Sequence, residues 1–149
     1  MGVLREVVEA DLPVFYEYEH DREAAAMAVF PPRERDAFMA HWARTLANES
    51  ALTWAVVADG AVAGNIGCWE HDGRRFVGYW IGREFWGRGL ATQALAELLA
   101  VVDARPLHAH VVSSNVASIR VLEKCGFVKV GAHAVGDGIE ELLLELPAA

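Results

Sequence analysis

The spacing of apolar residues changes along the chain and divides it into helix-like and strand-like stretches. Residues 3–8, VLREVV, read as a first strand. Asp11 stands where it can cap a helix over DLPVFYEYEH, with Pro13 in the first turn, where the missing N–H costs nothing. From about Arg33 to Ala47, Phe38, Trp42 and Leu46 recur every four residues and predict one buried face of a second helix. The middle then alternates with period two. TWAVVA, Asp59-Gly60 and AVAGNIGCWE form a hairpin pattern, and a second Asp-Gly turn at Asp72-Gly73 leads into RRFVGYWIG. GLATQALAELLAVVD returns to a helical period, with Leu90, Ala94, Leu95, Leu98 and Val102 on one face and Arg105-Pro106 as the stop. LHAHVV is a strand, NVASIRVLEKC a helix, and FVKVGAHAV and IEELLLEL two closing strands. The order predicts an α/β fold with a mixed, mostly antiparallel sheet of six to seven strands and four helices. No linker or internal repeat interrupts it, so residues 1–149 read as a single domain.

Composition narrows the classes. At 54% hydrophobic residues the 149-residue chain has ample material for one core. The longest apolar runs, such as Leu95 to Val102, are too short for a membrane span and carry Glu97. MGVLREVVEAD has no basic segment followed by an apolar one, and Glu6 spoils a myristoylation pattern at Gly2. Cys68 and Cys125, the only cysteines, form no disulfide framework and suit a reducing cytoplasm. A net charge of −8 argues against nucleic-acid binding and is compatible with a cationic substrate. A cytoplasmic monomer or homodimer with no membrane partner is expected.

Two segments carry chemistry. In Tyr79-Trp80-Ile81-Gly82-Arg83-Glu84-Phe85-Trp86-Gly87-Arg88-Gly89-Leu90-Ala91-Thr92, a strand meets a helix through closely spaced glycines. Gly87 and Gly89 allow a tight turn and close approach of a ligand. The free amides at the helix start, with the positive end of its dipole, form an anion site suited to a pyrophosphate, to which Arg88 could add charge. A dinucleotide-binding Rossmann loop is disfavoured. Thr92 stands where its third glycine belongs, and the preceding strand follows antiparallel hairpins. In the second segment Asn115 and Ser118 lie three apart on the first turn of a helix that ends at Gly126-Phe127. Asn115 would cap that helix and Gly126 would close it, which leaves polar groups at its open end.

Together these segments resemble motifs A and B of the GNAT superfamily of acetyltransferases. Motif A falls on Trp86, Gly87, Arg88, Gly89, Leu90 and Ala91; motif B falls on Asn115, Ser118, Val121, Leu122, Gly126 and Phe127. WGRGLAT with NVASIRVLEKCGF is most similar to the branch that includes the ribosomal-protein N-terminal acetyltransferases. The resemblance implies a GNAT fold with its fourth and fifth strands splayed, and acetyl-CoA as cosubstrate in the gap between Tyr79–Gly82 and His108–Val112. It implies that backbone groups near Trp80, Ile81 and Gly82 pair with the pantetheine and polarise the thioester carbonyl. The amides of Gly87 to Thr92 would hold the pyrophosphate, Asn115 the pantetheine, and Ser118 would lie near the sulfur. The acceptor would be a small-molecule amine or a peptide N-terminus.

The sequence departs from the family at two places. Trp86 replaces the usual Gln or Arg. Leu122 replaces the Tyr that in many members protonates the leaving thiolate, which makes Ser118 the candidate acid, with Tyr79 another. An amine must lose a proton to attack. His110, Glu70 and His71 are candidate bases, and His108 and His110 share a strand face. No third ligand accompanies His108-x-His110, so no metal is expected. Phe15, Tyr16, Tyr18 and Phe30 with Glu17, Glu19 and Asp21 are candidates for the acceptor pocket. Cys125 sits about 15 Å along its helix from Asn115, at the negative end of the dipole, which disfavours a thiolate and an acetyl-enzyme. The alternative to an enzyme is a non-catalytic acyl-CoA sensor.

Overall fold

The computed structural model describes residues 2–29 and 31–148. Its strands are β1 (Leu4–Glu6), β2 (Leu52–Ala58), β3 (Ala61–His71), β4 (Arg74–Ile81), β5 (Leu107–Val112), β6 (Val128–Gly136) and β7 (Ile139–Leu146). They form one seven-stranded sheet in the order β1-β2-β3-β4-β5-β7-β6. Every neighbouring pair is antiparallel except β4 and β5. The helices are α1 (Leu12–Glu19), α2 (Arg22–Ala28), α3 (Arg35–Ala47), α4 (Leu90–Val101) and α5 (Val116–Lys124). None of them is long and apolar enough to cross a membrane.

Helices cover both faces of the sheet, which explains why β2 is not a simple alternating strand. Ala55 packs with Phe15, Phe38 and Trp42 of α1 and α3. Its neighbour Val56 faces the other way, into the larger core that α4 and α5 close with Leu95, Leu98 and Leu122. Both residues are fully buried. The helix face predicted from Leu90, Ala94, Leu95, Leu98 and Val102 is the buried one. Both Asp-Gly turns have left-handed central residues, with φ of 53° and 76° at Asp59 and Gly60 and 51° and 75° at Asp72 and Gly73. Those are the angles that a two-residue hairpin loop requires.

Three features of the first fifty residues differ from the expectation. There are five α-helices rather than four, because Asp21 adopts an extended backbone and its carboxylate accepts from the Glu23 N–H, which starts α2 as a separate helix. Asp11 precedes α1, but its carboxylate accepts from the Arg5 guanidinium (2.8 Å) and the Val8 N–H (2.9 Å) instead of capping the helix. It ties β1 to the helical layer, and the Arg5 partner holds its carboxyl below the usual carboxylate range. Leu46 is 47% exposed, since the core beneath α3 ends at Trp42.

β3 and β4 approach so closely that a Cβ on Gly64 would run into the Trp80 carbonyl oxygen and meet the Ile81 Cα at 3.0 Å. Both are backbone atoms and cannot swing aside. Gly64→Ala should therefore lower the unfolding free energy by about 3 kcal/mol. Gly60→Ala, where φ is +76° but the space is open, should cost only about 1 kcal/mol. Denaturant titration of the two variants checks this, and equal midpoints would contradict it.

Candidate functional site

The parallel pair β4 and β5 is joined only at Arg75↔Leu107 and Phe76↔His108. Beyond these registers the strands part. β4 continues along β3 as far as Ile81↔Gly64, and β5 continues along β7 as far as Val112↔Glu141. Each arm is thus held on its outer edge, and a fork opens between Val77–Ile81 and Ala109–Val112. The Gly82 N–H donates to the Ala63 carbonyl at 2.8 Å. In an extended strand the backbone groups alternate in direction. The amides of Tyr79 and Ile81 therefore lie on the edge that faces the fork. The Ile81 carbonyl accepts from the Trp86 indole N–H at 2.9 Å.

A short loop leads from β4 to α4. Gly87 (φ 76°) and Gly89 (φ 72°) are both left-handed, and a Cβ on either would meet nothing within 4 Å. The side of the loop is therefore open space. Gly89 is the N-cap of α4 and offers no side chain to it. The first amides of the twelve-residue helix, at Leu90, Ala91 and Thr92, have no capping acceptor, and with the dipole they favour an anion.

Fork and loop open into one cavity of about 380 Å³. Trp80 and Ile81 of β4, Trp86, Gly87 and Gly89 of the loop, and Leu90, Ala91 and Thr92 of α4 line it. Asn115 and Ser118 line it from the facing helix. Gly82 and Arg88 do not. Gly82 lies under the Tyr18 ring, which a Cβ would strike at 2.6 Å. Arg88 pairs with Asp59 at 2.6 Å and sits over the Phe85 ring. The Asn115 side-chain oxygen accepts from the Ser118 N–H at 3.3 Å, so it caps α5 and leaves its amide nitrogen to the cavity.

Tyr79 and Ser118 meet across the fork. Their hydroxyls are 2.7 Å apart, and either can donate. Burial pushes the Tyr79 phenol up to about 12, against a smaller opposing pull from the Ser118 hydrogen bond. It keeps its proton at neutral pH. Leu122, one turn beyond Ser118, is almost fully buried in the main core. Cys125 lies at the far end of α5, where burial pushes its thiol up and its Sγ lies 3.9 Å from the Thr92 carbonyl.

A second cavity of about 230 Å³ adjoins the first and shares Tyr79, Trp80, Asn115 and Ser118 with it. His110 and Glu141 line its outer part. The His110 ring stacks on Phe76 (4.8 Å between centroids), and its Nδ1 is 3.4 Å from a Glu141 oxygen that is equally far from His133 Nε2. His108 does not join it. It is buried at the closed end of the fork, with Nε2 3.1 Å from Glu145. Glu70 and His71 lie beside the β3–β4 turn, at the closed end, and line neither cavity. Among the described residues no three His, Cys, Asp or Glu side chains gather to hold a metal ion.

The residues expected to form an acceptor pocket are otherwise engaged. Phe15 is core, Tyr16 packs on Phe38 and His20, and the Tyr18 hydroxyl donates to the Val62 carbonyl. Glu19 pairs with Arg33 and Asp21 with Arg83, while Glu17 is exposed; Phe30 lies outside the described residues. Ala24, Met27 and Ala28 of α2 line the first cavity, and Ala28 also lines the second. Arg120 and Lys124 also line the first. They continue the helix face of Ala117, three and seven residues before them.

The sequence matches the family model described as Acetyltransferase (GNAT) domain over residues 3–128. No curated protein matches it in sequence. Among solved structures, it is similar to RimL, a ribosomal L7/L12 alpha-N-protein acetyltransferase, with TM-score 0.81, 18% identity and coverage of 97% of this chain and 89% of that one. The spermidine N-acetyltransferase from Vibrio cholerae, solved with CoA and spermine, gives TM-score 0.81, 18% identity and coverage of 95% and 92%. The ribosomal-protein-alanine N-acetyltransferase from Brucella melitensis gives 0.76, 18%, 97% and 99%. At such identities the likeness is one of fold, and it agrees with the family model: the chain belongs to the GNAT acetyltransferase family.

Proposed function

We propose that the chain moves the acetyl group of acetyl-CoA to a primary amine, of a small molecule or a protein N-terminus, by direct transfer with both substrates bound. One observation carries the reading. A single cavity joins an uncapped helix start to an unpaired strand edge and reaches two partly buried hydroxyls. The amides of Leu90 to Thr92 hold the pyrophosphate. The open edge of β4 pairs with the pantetheine as an added strand would. The Ile81 or Tyr79 N–H then faces the thioester carbonyl and stabilises the oxyanion formed on attack. Trp86 fixes this edge through the Ile81 carbonyl instead of touching phosphate through a charge.

The amine enters by the second cavity, where Glu141 is the one acidic lining residue among those described. His110 accepts its proton, directly or through water, with Glu141 holding the ring by Nδ1. As the N–C bond forms and the C–S bond breaks, the thiolate takes a proton from the Ser118–Tyr79 pair. That pair supplies what Leu122 lacks. Cys125, with its thiol pushed up by burial, is not a nucleophile in this scheme. Two unpaired thiols, Cys68 and Cys125, suit a cytoplasmic location.

A sensor that binds acyl-CoA without turnover is favoured only by Leu122, and free CoA release with a panel of peptides, polyamines and amino-acid amines separates the two. With an accepted amine, Tyr79→Phe and Ser118→Ala should each lower kcat by about 100-fold and leave the KM for acetyl-CoA within a few-fold. Unchanged kcat in both would remove the pair from the mechanism.

Asn115 separates a structural from a binding role. Asn115→Asp keeps the oxygen that caps α5, exchanges the N–H donor for a second oxygen and adds a negative charge. Thermal stability should stay the same while CoA affinity falls by roughly 1–3 kcal/mol. Equal affinity, measured by calorimetry, would leave Asn115 a cap alone.

A further inference from the structure

We propose that Arg120 and Lys124 form the seat of the ribose 3′-phosphate of CoA, so that the protein distinguishes CoA from dephospho-CoA; this rests on the acetyl-CoA reading above. Both side chains line the same cavity as the Gly87–Thr92 loop. They lie four residues apart on α5, on the face that also turns Ala117 and Val121 to the cavity.

The course of α5 sets which end of the ligand they meet. Its N-terminal end, with Asn115 and Ser118, stands at the fork. At its other end the Cys125 Sγ lies 3.9 Å from the carbonyl of Thr92, in the first turn of α4. Lys124 therefore borders the phosphate end, about 9 Å along the helix from Ser118.

Charge gives the independent reason. The chain carries −8 overall, and its other arginines near acidic groups are committed: Arg5 to Asp11, Arg83 to Asp21, Arg88 to Asp59. Arg120 and Lys124 are exposed and, among the described residues, make no ion pair or side-chain hydrogen bond. Lys124 in the last turn suits the negative helix end, but Arg120 lies a turn earlier and has no such reason. The pyrophosphate is met by backbone amides, whereas a phosphomonoester beyond it carries close to two charges and, among the described residues, has no other cationic side chain in this cavity.

Calorimetry with CoA and dephospho-CoA tests the assignment. The unmodified protein should bind CoA at least about tenfold more tightly. The double variant Arg120→Ala/Lys124→Ala, altered only at exposed positions, should lose that preference by weakening CoA alone, with dephospho-CoA within about twofold. Raised salt should shrink the preference in the unmodified protein. Equal binding of the two ligands by the unmodified protein, or parallel weakening of both in the variant, overturns the proposal while sparing the acetyl-CoA reading. Binding of neither by the unmodified protein overturns both.

Discussion

β4 and β5 share two registers and then separate, and the rest of the site depends on that parting. A strand edge left unpaired in a dry interior would cost about 1–3 kcal/mol for each backbone group. Here it opens instead into a cavity where water or a ligand can complete the pairing. The opening is stable because each arm is satisfied on its other side: β4 by eight registers with β3, β5 by six with β7. The Tyr79–Ser118 hydrogen bond then spans the fork from β4 to α5 and fixes its depth. The same geometry that removes strand pairing thus supplies backbone donors beside two hydroxyls.

Electrostatics follow from which charges are already paired. Arg88, in the glycine loop itself, is drawn to Asp59 of the neighbouring hairpin turn, so the loop offers amides more than a guanidinium. Glu19, Asp21 and Asp11 are each held by an arginine. What remains to meet a ligand is a cationic edge on α5 at one end of the cavity system and Glu141, beside His110 and His133, at the other. A polyanionic cosubstrate and a cationic acceptor suit those two ends.

Local rules made much of this legible in the sequence. The left-handed glycines at 87 and 89, the Asp-Gly turns, the buried face of α4 and the Asn115 cap depend on residues a few positions apart. Ten of the residues that the family resemblance assigned to the cofactor line the first cavity. What was not legible depends on partners distant in sequence. Nothing within the loop shows that Arg88 will meet Asp59, or that the Trp86 indole will turn back to Ile81. Glu141 reaches His110 only because β7 lies beside β5. The stretch from Phe15 to Ala28 divides between scaffold and cavity in a way its spacing does not show. The aromatic and acidic residues of α1 have scaffold partners that no spacing reveals, and the wall came from α2, whose start depends on one extended residue, Asp21.

The central claim is that the open edge of β4 receives the cosubstrate as a strand would. Amide hydrogen exchange, read residue by residue by NMR with and without CoA, tests it most directly. Exchange at Tyr79 and Ile81 should slow on binding together with that of Leu90 to Thr92, while Gly82, already bonded to Ala63, should change little. Protection at the helix start with no change at Tyr79 and Ile81 would contradict the account.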